Sequence, residues 1–212
     1  MTAATQNISR QHGADPWMDP FLPALRAAGA VTLELGCGPG EDAASLSAHG
    51  FRVVGLDLVP KAVRKAVANA PDAHFLVADL QSPLPIRSAA VASTVASLSL
   101  HYFPWRGTAA IVDEVRRVLR PGGVFLFRVN ATDDTEFGAG AGEELEPHYY
   151  RVPPDGRNNR PFKRFFDAAM VRAMLAPGWR IDHLAHRTIN RYDTPKQVWE
   201  CCAHRQDEQS RT

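Results

Sequence analysis

The stretch Val31-Thr32-Leu33-Glu34-Leu35-Gly36-Cys37-Gly38-Pro39-Gly40 combines an apolar run, an acid and a glycine-rich turn. A helix-like segment follows over 41–49, a second apolar run over 51–56, and then another acid, Asp57. This order predicts a strand, a tight loop, a helix and a second strand that ends in a carboxylate. Glycine lets the backbone turn sharply and approach a ligand, and a carboxylate at the end of the second strand can accept hydrogen bonds from a ribose diol. The stretch therefore predicts a site for a nucleoside-bearing cofactor.

The spacing of the glycines distinguishes between classes of cofactor. Dinucleotide-binding folds use G-x-G-x-x-G, in which the helix N-terminus meets a pyrophosphate. Here Gly36, Gly38 and Gly40 follow G-x-G-x-G, and Glu41 and Asp42 place two negative charges in the first helical turn. These charges suit the helix dipole but would repel a pyrophosphate. The pattern favours a ligand that lacks phosphate and carries a cationic amino group, and S-adenosylmethionine is such a ligand.

From about Val31 to Val129 the sequence resembles the class I methyltransferases, whose first motif is an acid followed by G-x-G-x-G. The resemblance implies an enzyme, a methyltransferase with S-adenosylmethionine as its cofactor. Strand and helix candidates alternate along the chain, which implies right-handed crossovers. We therefore predict an α/β fold with a doubly wound, mainly parallel seven-stranded sheet and helices on both faces, the Rossmann-like methyltransferase fold. The strand candidates are Val31–Leu35, Arg52–Asp57, His74–Ala78, Val91–Leu98, Val124–Val129, Trp179–His186 and Gln197–Ala203, and the helix candidates are Asp42–His49, Pro60–Ala70, Arg106–Leu119 and Asp167–Leu175.

The bulk composition predicts a single domain over 1–212, because this length fits one domain with a substantial core. Lys plus Arg is 24 and Asp plus Glu is 23, so the net charge of +1 requires no polyanionic partner, although a local basic patch is left open. The sequence shows no secretory leader and no run of about 18 apolar residues, so we expect no membrane contact. The three cysteines lack ligand spacing, which predicts a cytoplasmic protein without a metal site.

Two segments flank this predicted core. Residues 1–30 form either a helix that packs on the domain or a lid over the site, and Asp15-Pro16 is a candidate helix start. Residues 131–161 are polar and rich in Gly and Pro, which predicts a long functional loop, and 131–165 is the predicted substrate-side insert. Pro121-Gly122-Gly123 predicts the end of a helix and a turn into the next strand.

The predicted cofactor site follows from the rule that doubly wound sheets bind ligands beyond the carboxyl ends of their strands. This rule places 36–40 under the amino-acid part of the cofactor and Asp57 at the ribose, unless Asp57 is only a turn acid. The resemblance implies that Asp79 accepts from the adenine amino group, with a turn cap as the alternative. Glu34 lies deep between strands and needs donors, either backbone amides or the cofactor ammonium. The predicted cofactor-binding residues are Glu34, Gly36, Cys37, Gly38, Gly40, Asp57, Leu58, Asp79, Leu80 and Ser97.

Candidates for the chemical step follow the fourth and fifth strands. Methyl transfer requires a nucleophile about 3 Å from the methyl carbon and the exclusion of water. We predict His101 and Arg128 as catalytic residues: His101 could deprotonate or orient a substrate, or only shape the pocket, and Arg128 could bind an anionic substrate or form a surface ion pair. Tyr102 and Asn130 are predicted to contact the substrate.

The insert carries a second resemblance. Residues 128–130, 138–142, 149–150 and 163–166 look like bacterial small-molecule methyltransferases related to the tellurite-resistance methyltransferases. We predict that Tyr149, Arg164 and Phe165 bind the substrate, with core packing or a solvated basic pair as the alternatives. The predicted function is methyl transfer from S-adenosylmethionine to a small-molecule methyl acceptor, with no nucleic-acid partner. The alternatives are a cofactor-binding regulatory module without turnover and a methyltransferase acting on a macromolecule. No oligomeric state is predicted.

Overall fold

The computed structural model describes residues 16–152, 160–190 and 192–206. Within these ranges, apolar stretches pair into two sheets, one large and one small. The strands, numbered in chain order, are β1 (Val31–Leu35), β2 (Arg52–Asp57), β3 (His74–Val77), β4 (Val91–Ser97), β5 (Leu119–Asn130), β6 (Glu143–Glu146), β7 (Tyr149–Arg151), β8 (Phe162–Arg164), β9 (Trp179–Ile189) and β10 (Lys196–Arg205).

The large sheet has seven strands in the order β3-β2-β1-β4-β5-β10-β9. The pairs β1–β2, β1–β4, β2–β3 and β4–β5 are parallel, whereas β10 runs antiparallel between β5 and β9. Strand order reverses between β1 and β4, which is where doubly wound sheets open a crevice at their carboxyl edge. The predicted fold class is confirmed.

Helices cover both faces of this sheet, because each helix buries an apolar stripe against the strands. The helices are α1 (Leu22–Ala28), α2 (Glu41–Ala48), α3 (Pro60–Asn69), α4 (Trp105–Val118) and α5 (Ala168–Leu175). Helices α4 and α5 contribute to the core on one face, and α1 and α2 contribute to the core on the other. In the part of the chain that the structure describes, no helix is both long enough and apolar enough to cross a membrane.

The N-terminal segment is a short 3-10 helix, Pro16–Phe21, that leads into α1. Trp17, Met18 and Phe21 are buried in the same core as α2. The Trp17 indole Nε1 donates a hydrogen bond to Asp42 at 3.1 Å. These residues pack on the sheet, as expected for a helix that packs on the domain and not for a lid over the site. Residues 1–15, which include the candidate helix start at Asp15, lie outside the described residues.

The expected turn at Pro121-Gly122-Gly123 requires a correction, because β5 already begins at Leu119. Val91 of β4 pairs with Leu119 and Ser93 pairs with Val124, so the intervening residues bulge out of the ladder. Leu119 is fully buried and holds the strand start in place, while Gly122 adopts a positive φ of 70° within the bulge.

The insert also differs from the predicted loop. Residues Thr135–Phe137 form a 3-10 helix, and β6, β7 and β8 form a three-stranded antiparallel sheet. The strands are three or four residues long and therefore leave almost no periodic signal in the sequence. The part of the predicted insert at 153–159 lies outside the described residues.

An ion pair between a buried arginine and a partly exposed glutamate fastens the insert to the start of α4. Arg164 on β8 pairs with Glu146 on β6, and its guanidinium also donates to the carbonyls of Phe103 and Pro147 at 3.3 and 3.0 Å. Glu146 in turn accepts from the Trp105 backbone N–H at the start of α4. Burial lowers the pKa of Arg164, against the opposing effect of Glu146. The insert therefore depends on an arginine that needs its carboxylate partner.

We expect Glu146→Gln to lower the free energy of unfolding by about 1–3 kcal/mol, because it leaves a buried guanidinium without a counter-charge. The matched control is Glu143→Gln on the same strand, which removes the exposed pair with Arg151. Side-chain exposure is 2% and 38% for Arg164 and Glu146 but 55% and 58% for Arg151 and Glu143. The control should change stability by less than about 0.5 kcal/mol. Equal denaturation midpoints for the two variants would contradict this role of the pair.

Candidate active site

The glycine loop after β1 is tied to the end of β2 by three consecutive amides. The N–H groups of Gly36 and Cys37 both donate to the carbonyl of Leu56, at 2.7 and 2.9 Å. The next amide, that of Gly38, donates to Asp57 Oδ2 at 2.9 Å. The loop is therefore held in one conformation at the carboxyl edge of the sheet.

Two glycines of the loop are required by close packing as well as by their backbone angles. At Gly36, where φ is 69°, a Cβ atom would lie 2.4 Å from the Cβ of Ser99. At Gly40, where φ is 85°, it would lie 2.9 Å from the Cα of Ala66 on α3. Ser99 cannot retreat easily, because its hydroxyl donates to the carbonyl of Leu35 at 2.7 Å.

A cavity of about 470 Å³ opens beside this loop and extends to the insert. Its volume lies within the range of pockets that hold small ligands. At one end it is lined by the loop and by the ends of β2 and β3, with Gly36, Gly38, Asp57, Leu58, Asp79 and Leu80. At the other end it is lined by the start of α4 and by the insert, with Tyr102, Phe103, Pro104, Tyr149, Arg160 and Phe162.

The two lining carboxylates have fixed positions. Asp57 is 7% exposed, and besides the bond from Gly38 it accepts one from the Val59 N–H at 2.8 Å. Each carboxylate oxygen has a second lone pair, so Asp57 can still accept hydrogen bonds from a diol. Asp79 accepts from the Gln81 N–H at 2.9 Å, which is the cap that the sequence offered as an alternative role. Leu58, 51% exposed, presents an apolar surface between them in the cavity lining.

Glu34 is the least satisfied acid of the site. It is 3% exposed, and its Oε2 atom has no hydrogen-bond partner among the described residues. Burial raises the pKa of Glu34 well above its ordinary value, and Asp42 and Asp57 raise it further, against a backbone hydrogen bond from Ala43. Glu34, Cys37 and Gly40 are not among the described residues that line the cavity, so their predicted contact with the cofactor stays a prediction.

His101 lies under the acceptor end of the cavity. It is 3% exposed, its ring centroid is 4.2 Å from that of Tyr102, and its Nδ1 atom has no partner among the described residues. Burial lowers the pKa of His101 well below its ordinary value, followed by the charges of Lys196, Lys163 and Arg160. The ring is therefore neutral at physiological pH. Tyr102 lines the cavity, whereas His101 is not among its described lining residues.

The structure places Arg128 away from the cavity lining. Its guanidinium lies over the Trp17 ring at 4.2 Å and donates to the Ser97 hydroxyl at 2.9 and 3.3 Å. Arg128 and Asn130 are each 1% exposed, and neither of them, nor Ser97, is among the described lining residues. The N-terminal segment covers Arg128, which the sequence alone could not show.

Of the three insert residues predicted to bind the substrate, one lines the cavity and two do not. Tyr149 lines the cavity, and its hydroxyl donates to the Tyr102 carbonyl at 3.4 Å. Arg164 is buried and forms the ion pair with Glu146 described above, and Phe165 is fully buried in the protein. The cavity is also lined by residues that were not predicted from the sequence, namely Phe103, Pro104, Arg160 and Phe162. Arg160 and Phe162 stand at the end of the insert in a basic and aromatic run, which could have indicated them.

Known methyltransferases are similar to this chain in sequence and in structure. A family model described as a methyltransferase domain matches residues 32–123. A solved S-adenosylmethionine-dependent methyltransferase from Methanosarcina mazei superimposes with a TM-score of 0.75, with 19% identity over 84% of this chain and 93% of that one. This chain has the class I S-adenosylmethionine-dependent methyltransferase fold.

Curated relatives agree with this result. An uncharacterized methyltransferase of Synechocystis sp. is 37% identical over 97 residues, which are 46% of this chain and 45% of that protein. A Mycolicibacterium smegmatis protein described as a probable S-adenosylmethionine-dependent methyltransferase is 35% identical over 128 residues, 60% of this chain and 48% of that protein. The chain thus spans about half the length of these relatives. The prediction of S-adenosylmethionine as the cofactor is confirmed, whereas the single domain over 1–212 stays a prediction.

We expect Gly36→Ala to weaken binding of S-adenosylhomocysteine at least about ten-fold, because the new Cβ atom displaces Ser99 at the cavity wall. Gly50→Ala is the matched control: Gly50 also has a positive φ, of 84°, but a Cβ atom there meets nothing within 4 Å. Both variants should lose about 1 kcal/mol of stability from backbone strain. Calorimetry that shows equal affinities for the two variants would contradict the packing argument.

We expect Glu34 to make the ligand-free protein less stable as the pH rises. Its folded-state pKa is raised, so the folded state holds a proton that the unfolded state releases above pH 4.5, and this stabilising effect is lost as the pH rises through the folded pKa. Between pH 4.5 and the folded-state pKa, the free energy of unfolding of the wild type should fall by up to about 1.4 kcal/mol per pH unit relative to that of Glu34→Gln. Denaturant unfolding between pH 5 and 8 measures this, with exposed Glu136→Gln as the control. A constant difference between wild type and Glu34→Gln would show that Glu34 does not titrate there.

Proposed function

We propose that this protein is an enzyme that transfers a methyl group from S-adenosylmethionine to a small-molecule acceptor. The observation that carries the proposal is one cavity whose lining joins the glycine loop and two carboxylates to an aromatic end built by the insert. The cofactor end and the acceptor end are thereby brought within a single space of about 470 Å³.

The residues at the cofactor end fit an adenosyl amino acid. The glycine loop admits a close-lying ligand, Asp57 offers acceptors for the ribose hydroxyls, and Leu58 offers an apolar face for the base. When bound there, S-adenosylmethionine supplies an electrophilic methyl group on a sulfonium. The protein contributes position and exclusion of water.

The acceptor end supports a small acceptor. Its wall consists of Tyr102, Phe103, Tyr149 and Phe162, and burial raises the pKa of Tyr149, so its hydroxyl remains a donor to the Tyr102 carbonyl at neutral pH. This bond joins the insert to the segment that precedes α4. The predicted relation of the insert to tellurite-resistance methyltransferases and the predicted cytoplasmic location stay predictions.

The proposal is tested by incubating the protein with S-adenosylmethionine and a panel of thiols, amines, phenols, carboxylic acids and oxyanions. Formation of S-adenosylhomocysteine that depends on one panel member supports it. Tight cofactor binding without turnover on any small molecule contradicts it, and would favour a regulatory module or a macromolecular acceptor.

We expect Asp57→Ala to weaken S-adenosylmethionine binding by roughly 1.5–3 kcal/mol, because it removes charge-assisted hydrogen bonds to the ribose and releases the amides of Gly38 and Val59. Asp57→Asn, which keeps one carbonyl acceptor, should fall between the wild type and Asp57→Ala. Exposed Asp72→Ala serves as the control for loss of one negative charge. Unchanged affinity of Asp57→Ala in calorimetry would show that the ribose lies elsewhere.

A further inference from the structure

We propose that Arg160 selects the acceptor, and that the acceptor is a small carboxylic acid whose carboxylate pairs with the Arg160 guanidinium. The inference rests on the proposed function and names the substrate class of the same site. It replaces Arg128, the anion-binding residue expected from the sequence, with a residue that lies in the cavity.

Arg160 is partly buried and lines the cavity beside Pro161 and Phe162. Its Cζ atom lies 4.5 Å from the centroid of the Tyr102 ring, so the guanidinium stacks on an aromatic wall of the site. A stacked guanidinium is restricted in orientation and directs its N–H groups outward in its own plane, which suits a planar carboxylate. Among the described residues, Arg128, Arg151 and Arg164 also lie in or next to the insert, but they are not in the lining of the cavity.

The charges around the acceptor end also favour an anion. Lys163 and Lys196 are 4% and 5% exposed, and Lys196 pairs with Asp134 at 2.7 Å. Burial lowers the pKa of Lys196, against the opposing effect of Asp134, and the charge of Lys163 lowers it further. Burial also lowers the pKa of His101, and the charges of Lys196, Lys163 and Arg160 act on it in the same direction. Lys163 and Arg160 therefore add positive charge around the ring that packs against Tyr102, and a bound anion would offset this charge.

The composition of the acceptor end favours a ligand that combines one carboxylate with an apolar group. Tyr102, Phe103, Tyr149 and Phe162 give the acceptor end an aromatic lining, and Arg160 is the cationic residue in the described lining. One guanidinium matches the single charge of a carboxylate, with two parallel hydrogen bonds, whereas a phosphate monoester carries about −1.5 to −2 charges at neutral pH.

The test measures binding to protein saturated with S-adenosylhomocysteine. The probes are cinnamate and phenylacetate, each beside its neutral amide, together with phenylphosphonate. We expect at least one acid to bind, and its amide to bind roughly ten-fold more weakly or worse. Arg160→Gln should remove this preference for the acid. Arg160→Lys should keep part of it, because lysine retains the positive charge but cannot donate two parallel hydrogen bonds in one plane. Exposed Arg87→Gln, outside the cavity lining, should behave as the wild type.

Three outcomes would overturn the inference: Arg160→Gln binds the acid as tightly as the wild type, the amide or the phosphonate binds as well as the acid, or no acid binds to the saturated protein. Affinity for S-adenosylhomocysteine is measured on every variant. If the wild type fails to bind S-adenosylhomocysteine, the proposed function fails first. If it binds S-adenosylhomocysteine and the acids show no preference over their amides, the assignment of a carboxylic acid and of Arg160 fails while the proposed function stands.

Discussion

Three consecutive amides, at 36, 37 and 38, bond to the last two residues of β2, and the rest of the site depends on this arrangement. Two of them share the Leu56 carbonyl, so the chain must turn sharply within one residue of β1. The third engages Asp57, which orients that carboxylate at the mouth of the crevice. A backbone that turns this tightly against Ser99 has no room for a side chain at position 36, which is why glycine is needed there.

The other end of the cavity is held by side chains rather than by backbone. Arg164 and Glu146 fasten the small sheet to the start of α4, and Tyr149 bonds to the Tyr102 carbonyl. Tyr149 and Phe162 thereby become part of the wall opposite the glycine loop. The large sheet supplies a rigid edge, and the insert supplies part of the wall that faces it.

The doubly wound sheet and the glycine loop could be predicted because their signals are local: apolar runs, glycines and a terminal acid within about thirty residues. The small sheet could not, since β6, β7 and β8 are too short to show a period. The roles of the arginines depend on contacts distant in sequence. Arg128 lies near the end of β5, which leads to the site, yet the Trp17 ring packs over it. Arg160 stands in a basic and aromatic run that indicates a functional segment, but its place in the cavity lining depends on how the insert folds.

Local rules of stability are broken at two places. Glu34 is a buried acid with one oxygen that has no hydrogen-bond partner among the described residues, and Lys163 is a buried cation whose charge lowers the pKa values of Lys196 and His101. Such groups reduce stability unless a ligand or a neighbouring group compensates them, so they are expected where function rather than folding selects the residue. Burial raises the pKa of Glu34, and a cationic ligand group bound beside it would act in the opposite direction and favour loss of its proton. Binding of such a group would therefore be coupled to the release of a proton from Glu34, because the two events stabilise each other.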